Sequence, residues 1–138
     1  MKRKEPKFKY RNVMLIDDNE LDNFINEKTL EANLFSKKIY SCTSGKSALE
    51  FLNNIVTMGD QFAEVYPQVI FIDINMPMMD GFQFIDYFKK ESEKQLQKPK
   101  LVLLTSSVYN EDREKAKSIS KDIVFLNKPL KKEMLDAL

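Results

Sequence analysis

Apolar runs and helix-period segments alternate five times along this chain of 138 residues. Strand candidates lie at 13–17, 38–42, 68–73, 100–105 and 123–127. Three of them, VMLID, VIFID and LVLLT, are nearly continuous apolar stretches ending on a polar residue. That is the pattern of central parallel strands buried on both faces. Helix candidates fill the gaps. The segment 20–33 carries the apolar residues Leu21, Phe24, Ile25 and Leu30. The segment 44–58 opens on Ser44 as an N-cap and carries Ala48, Leu49, Leu52, Ile55 and Val56. At 82–93, Phe84, Ile85 and Phe88 have the spacing of a stripe facing a sheet, read as core packing rather than as a cofactor box. The helix at 110–118 has Ala116 almost alone on its apolar side, and a last helix is expected from beyond Pro129 to the chain end.

This alternation implies an α/β fold with right-handed crossovers and helices on both faces of the sheet. In such sheets ligands bind beyond the carboxyl ends of the strands, where the strand order reverses. The polar residues at those ends are Asp17, Asp18, Asp73, Thr105 and Lys128.

Composition narrows what those residues can do. Hydrophobic residues make up 43% and charged residues 31%, the balance of one folded, soluble domain. No apolar run approaches the roughly 20 residues needed to span a bilayer. The start MKRKEPKFKYRN lacks the apolar stretch of a signal peptide, so no membrane partner and a cytoplasmic location are expected. Residues 1–10 read as a basic, flexible lead-in and 11–138 as the folded domain. A net charge of +1 argues against direct nucleic-acid binding, which needs a strong basic excess. Cys42 stands alone and reads as a half-buried structural thiol. The chain has no histidine, which excludes Ser-His-Asp and Cys-His nucleophile systems and imidazole-ligated zinc. A bound metal would therefore be a hard cation held by oxygens.

Asp17 and Asp18 are adjacent carboxylates at the end of a buried strand, costly to desolvate together without a cation. Capping the next helix is the alternative, but capping asks for one acid. Asp73 ends VIFID in the same way and would complete an oxygen-rich site suited to magnesium. Pro77 and Gly81 then force a turn that could aim a backbone carbonyl, that of Asn75, back at the metal. Thr105, and Lys128 before Pro129, are each weak signals alone, a strand-end hydroxyl and a turn lysine. Together with the three acids they form a consistent register of strand ends.

The acidic pair in LIDD, the aspartate in FIDINMPMMDG, the threonine in LLTSS and the lysine in NKPL carry a family resemblance. Over nearly its whole length the chain resembles the receiver domain of two-component response regulators, of the chemotaxis-regulator type. The resemblance implies a flavodoxin-like, doubly wound (βα)5 fold whose five-stranded parallel sheet has the order 2-1-3-4-5. It implies Asp73 as phosphoacceptor, taking a phosphoryl group from the phosphohistidine of a sensor kinase or a histidine phosphotransfer protein. Magnesium would be held by Asp18 and Asp73, with Asp17 acting through water and Asn75 through its carbonyl. Lys128 and Thr105 would contact the phosphoryl group, Phe125 would be the switch aromatic, and the bond before Pro129 would be cis. Such a protein assists its own phosphorylation and dephosphorylation but is not an enzyme with a turned-over substrate. The downstream partner would read the face made by the fourth helix, fifth strand and fifth helix. Asn75 and Ser107 would tune the lifetime of the phosphorylated state.

The chain departs from the family's common pattern in a long segment at 53–67, a missing glycine before the fifth strand and a short last helix. Three alternatives remain in view. One is the receiver portion of a longer regulator with an output domain. Another is a haloacid-dehalogenase-like phosphatase, which would want an acid where Asn75 stands. The third is a flavin binder, which would want a hydroxyl- and glycine-rich loop where DDNEL stands.

Overall fold

In the computed structural model, which describes residues 6–138 except 94, 96 and 107–109, the five apolar runs become parallel strands. These are β1 (Tyr10–Ile16), β2 (Ser36–Cys42), β3 (Val69–Asp73), β4 (Lys100–Thr105) and β5 (Val124–Asn127). Alternating with them are α1 (Glu20–Ala32), α2 (Gly45–Thr57), α3 (Gly81–Glu91), α4 (Asn110–Ile119) and α5 (Lys132–Asp136). The sheet order is β2-β1-β3-β4-β5, as expected. The order reverses between β1 and β3, so their carboxyl ends flank the crevice where such folds bind ligands.

Side chains of a strand alternate between faces, and both faces here are covered. Met14, Ile16, Ile70, Ile72, Leu101 and Leu103 pack with Leu49, Leu52, Phe84, Ile85, Phe88 and Ala116 from α2, α3 and α4. Val13, Leu15, Val69, Phe71, Val102 and Leu104 face the other way, against Leu30, Phe35, Leu130, Leu135 and Leu138. Register then levels the strand ends. Ile16 pairs with Ile72, so Asp17 and Asp73 come next on adjacent strands. Thr105 pairs with Asn127, placing Lys128 just beyond it.

Several expectations need correcting. Of the apolar residues of α1 only Leu30 is buried: Leu21, Phe24 and Ile25 are exposed, and Asn23 and Asn26 take the inner face. Val56 of α2 is also exposed, although Ala48, Leu49, Leu52 and Ile55 are buried. The last helix is shorter than expected, because Lys131 is still extended and the helical span ends at Asp136. The segment 53–67 is not plain loop: after the last turn of α2 it holds a 3-10 helix, Asp60–Val65, and Tyr66 is buried. Of the basic lead-in, residues 1–5 lie outside the described residues, but its end is held. Lys9 Nζ donates to the carbonyls of Leu135 (3.1 Å) and Asp136 (3.0 Å), and the Tyr10 hydroxyl donates to that of Leu138.

Candidate metal and phosphoryl site

The carboxyl end of β1 turns into α1 through Asp17, Asp18 and Asn19. Asn19 is the N-cap: its side chain accepts from the Asp22 amide at 3.1 Å. Capping therefore falls to Asn19 and leaves the two aspartates for other work. Asp17 Oδ1 accepts from the Asn19 amide at 2.9 Å, which fixes the turn and leaves Oδ2 aimed at the site. Asn23 ties α1 to the strand ends, donating to the carbonyls of Asp17 (3.0 Å) and Cys42 (3.2 Å).

Beyond β3, the chain from Ile74 to Asp80 folds back on itself. The Gly81 amide donates to the Ile74 carbonyl at 2.9 Å. A Cβ on Gly81 would lie 2.8 Å from the Asp73 carbonyl oxygen and 3.0 Å from Ile74 Cα, both backbone atoms with no room to yield. The glycine is thus required by close approach rather than by an unusual dihedral angle. Asp80 and Gln83 then start α3 with a reciprocal capping box, at 2.8 Å and 2.9 Å. Met78, within this loop, has φ 71 and is fully exposed.

These elements bring Asp17, Asp18 and Asp73 together, with one carboxylate oxygen of each within 4.8 Å of the others. Asp17 and Asp73 are buried, at 2% and 5% exposure, while Asp18 is open to solvent. The Lys128 ammonium sits on the cluster, 2.5 Å from Asp17 Oδ2 and 3.0 Å from Asp73 Oδ1. Burial pushes the Asp73 carboxyl above its usual range; the Lys128 hydrogen bond pulls it down, and the Asp17 charge pushes it up again. For Lys128, burial alone would favour the neutral amine, but its hydrogen bonds to Asp17, Asp22 and Asp73 prevail and hold it charged. A seated cation among oxygen donors, with one side open to water, is the environment a hard divalent ion would also use. The residues present therefore fit such a metal.

The other expected site residues take up varied positions. Thr105 ends β4 fully buried, and its carbonyl accepts from the Lys128 amide at 2.8 Å. Asn75 lies exposed two residues past Asp73. The Lys128–Pro129 bond is cis. Phe125 is half-buried on β5, packed against the α2–α3–α4 side of the core, with the Arg113 guanidinium 4.9 Å from its ring centre. It joins none of the described contacts of the acid cluster. Ser107 falls outside the described residues. Cys42 is half-buried, and burial raises its thiol pKa against the lowering effect of a hydrogen bond with Ser47. Sequence reasoning passed over Asp22, whose Oδ2 lies 3.0 Å from Lys128 Nζ. No local signal marked it, because its partner lies 106 residues away in the chain.

Among the described residues, no helix is long and apolar enough to cross a membrane. The response regulator receiver domain family model matches residues 13–138. A two-component response regulator from Cytophaga hutchinsonii, known from its crystal structure, is 34% identical, with 92% of each chain covered and a TM-score of 0.81. The hybrid signal transduction histidine kinase L of Dictyostelium discoideum is 33% identical over 122 residues, 87% of this chain but 6% of the kinase. The response regulator Rcp1 of Synechocystis is 25% identical over 100 residues, covering 72% of this chain and 64% of Rcp1. The receiver domain of the Arabidopsis thaliana histidine kinase CKI1, 21% identical with a TM-score of 0.78 over 92% of this chain and 89% of that one, shares the fold. The level strand ends, the acid cluster and these likenesses converge on one conclusion: the chain belongs to the response regulator receiver domain family and is a receiver domain of two-component signalling.

Proposed function

We propose that Asp73 is the phosphoacceptor and that Asp17, Asp18 and Asp73, with the Asn75 carbonyl, hold Mg2+ beside it. The observation that carries this reading is the Asp17–Asp18–Asp73 cluster with Lys128 seated on it. The CKI1 receiver domain has been crystallised in complex with Mg2+. When bound, the cation would neutralise charge on the oxygens of the transferring phosphoryl group.

The residues of the chain do the rest. An Asp73 carboxylate oxygen attacks phosphorus of a phosphohistidine on a sensor kinase or histidine phosphotransfer protein. An O–P bond forms and the P–N bond breaks; its electron pair leaves with the imidazole nitrogen, which takes a proton from solvent. With no histidine of its own, the chain depends on a partner or a small phosphodonor for this group. Lys128 offsets the gain of about one negative charge at Asp73. The Thr105 hydroxyl donates to a phosphoryl oxygen, and Phe125 fills the space its movement opens. The face of α4, β5 and α5 changes shape and is read by a downstream protein. The acyl phosphate is lost by water attack at the same site, and the setting is cytoplasmic.

Incubation with a small acyl phosphate, followed by intact-mass measurement, tests the reading. A single phosphoryl adduct should form with Mg2+, disappear with a chelator and be absent in Asp73→Asn. An adduct that forms without Mg2+, or persists in Asp73→Asn, defeats it.

A further inference from the structure

Lys128 is held by more than the acid cluster. Its ammonium has three N–H donors, and three carboxylate oxygens lie in reach: Asp17 Oδ2 at 2.5 Å, Asp73 Oδ1 at 3.0 Å and Asp22 Oδ2 at 3.0 Å. Two of these acids belong to the cluster that would hold a divalent cation, and Asp22 does not. A cation on Asp17 and Asp73 would compete with the ammonium for the same oxygens and repel it at short range. Asp22 is the remaining acceptor. It reaches in from the first turn of α1, where its backbone is fixed by the Asn19 cap, and its side chain is 38% exposed at the rim of the site.

We propose that Asp22 is a positioning residue for Lys128, giving the ammonium a seat at the rim when a divalent cation occupies Asp17 and Asp73. Lysine and cation then share the site instead of excluding one another. The lysine stays within reach of a phosphoryl group on Asp73. Without Asp22, the ammonium presses back onto Asp17 and Asp73 and opposes the cation. This role rests on Asp17, Asp18 and Asp73 being a metal site.

The test is a double-mutant cycle read by calorimetric Mg2+ titration, with the Lys128 ammonium followed by nitrogen NMR in metal-free protein. Asp22→Asn keeps the backbone hydrogen bond to Asn19 and is nearly isosteric. It should weaken Mg2+ binding about fivefold, the size of a half-exposed ion pair. In a Lys128→Met background the same change should have less than about half that effect on a logarithmic scale. Asp22→Glu should recover most of the wild-type affinity. The Lys128 ammonium signal should shift in metal-free Asp22→Asn. An equal loss of affinity with and without Lys128 would show that Asp22 acts only as a distant charge, and would overturn the proposal. So would an unmoved Lys128 signal in Asp22→Asn. If wild-type protein binds no Mg2+ while the Lys128 signal still shifts, the metal reading fails and the hold of Asp22 on Lys128 stands.

Discussion

Helices α1 and α3 carry nearly the same apolar spacing and use it in opposite ways. In α3, Phe84 and Ile85 are completely buried and Phe88 is 5% exposed, all packed on the sheet. In α1, Leu21, Phe24 and Ile25 are 64%, 56% and 43% exposed, and Asn23 and Asn26 take the inner face. Periodicity marks a stripe on a helix but not which way the stripe points when polar anchors compete. Asn23 bonds the ends of β1 and β2, and Asp22 reaches Lys128, so the first turns of α1 are rotated by the site. The sheet beneath loses little, because Leu30, Phe35, Leu130 and Leu135 already cover that face. The polar face has a cost of its own, since Asn23 Oδ1 is buried without a partner among the described residues. The apolar face of α1 meets water instead, with the Lys28 ammonium 5.3 Å above the Phe24 ring.

Substitutions along the two helices can break this contrast. The largest effect is expected from Phe84→Ala, which removes a fully buried ring and should cost about 3–5 kcal/mol in denaturant unfolding. Asn23→Ala should come next, at about 1–2 kcal/mol. It deletes two hydrogen bonds but also relieves the unpartnered Oδ1. It should also loosen the turn carrying Asp17, seen as shifted amide resonances at 17–19. Phe24→Ala should change stability by less than about 0.5 kcal/mol, as for a surface position. A cost for Phe24→Ala comparable to that of Phe84→Ala would mean that α1 sits with its stripe inward after all. A neutral Asn23→Ala would mean that the Asn23 hydrogen bonds do not set the rotation of α1.

Much of the architecture was legible in the chain because buried parallel strands leave runs that little else produces. VIFID and LVLLT mark β3 and β4 to within a residue, and Ser44 does cap α2. What local pattern could not convey was anything set by a distant partner. The 3-10 helix at Asp60–Val65 has no periodic signature of its own. The need for Gly81 looked like a turn preference, yet it comes from the Asp73 carbonyl eight residues back. At the site, Asp17, Asp18, Asp73 and Lys128 were each readable as polar ends of apolar runs. Asp22 was not, since nothing near it in sequence names a lysine 106 residues away.

By itself, then, the order of residues determined the strands, their burial on two faces and the supply of acids and a lysine at the strand ends. Those follow from hydrophobic periodicity and from the rule that buried strands end where polar groups can reach water. The tertiary structure alone decided the levelling of Asp17 with Asp73, the seating of Lys128 on both, the addition of Asp22 and the rotation of α1. Each depends on strand register or on hydrogen bonds between residues far apart in the chain. Those pairings exist only once the sheet has formed.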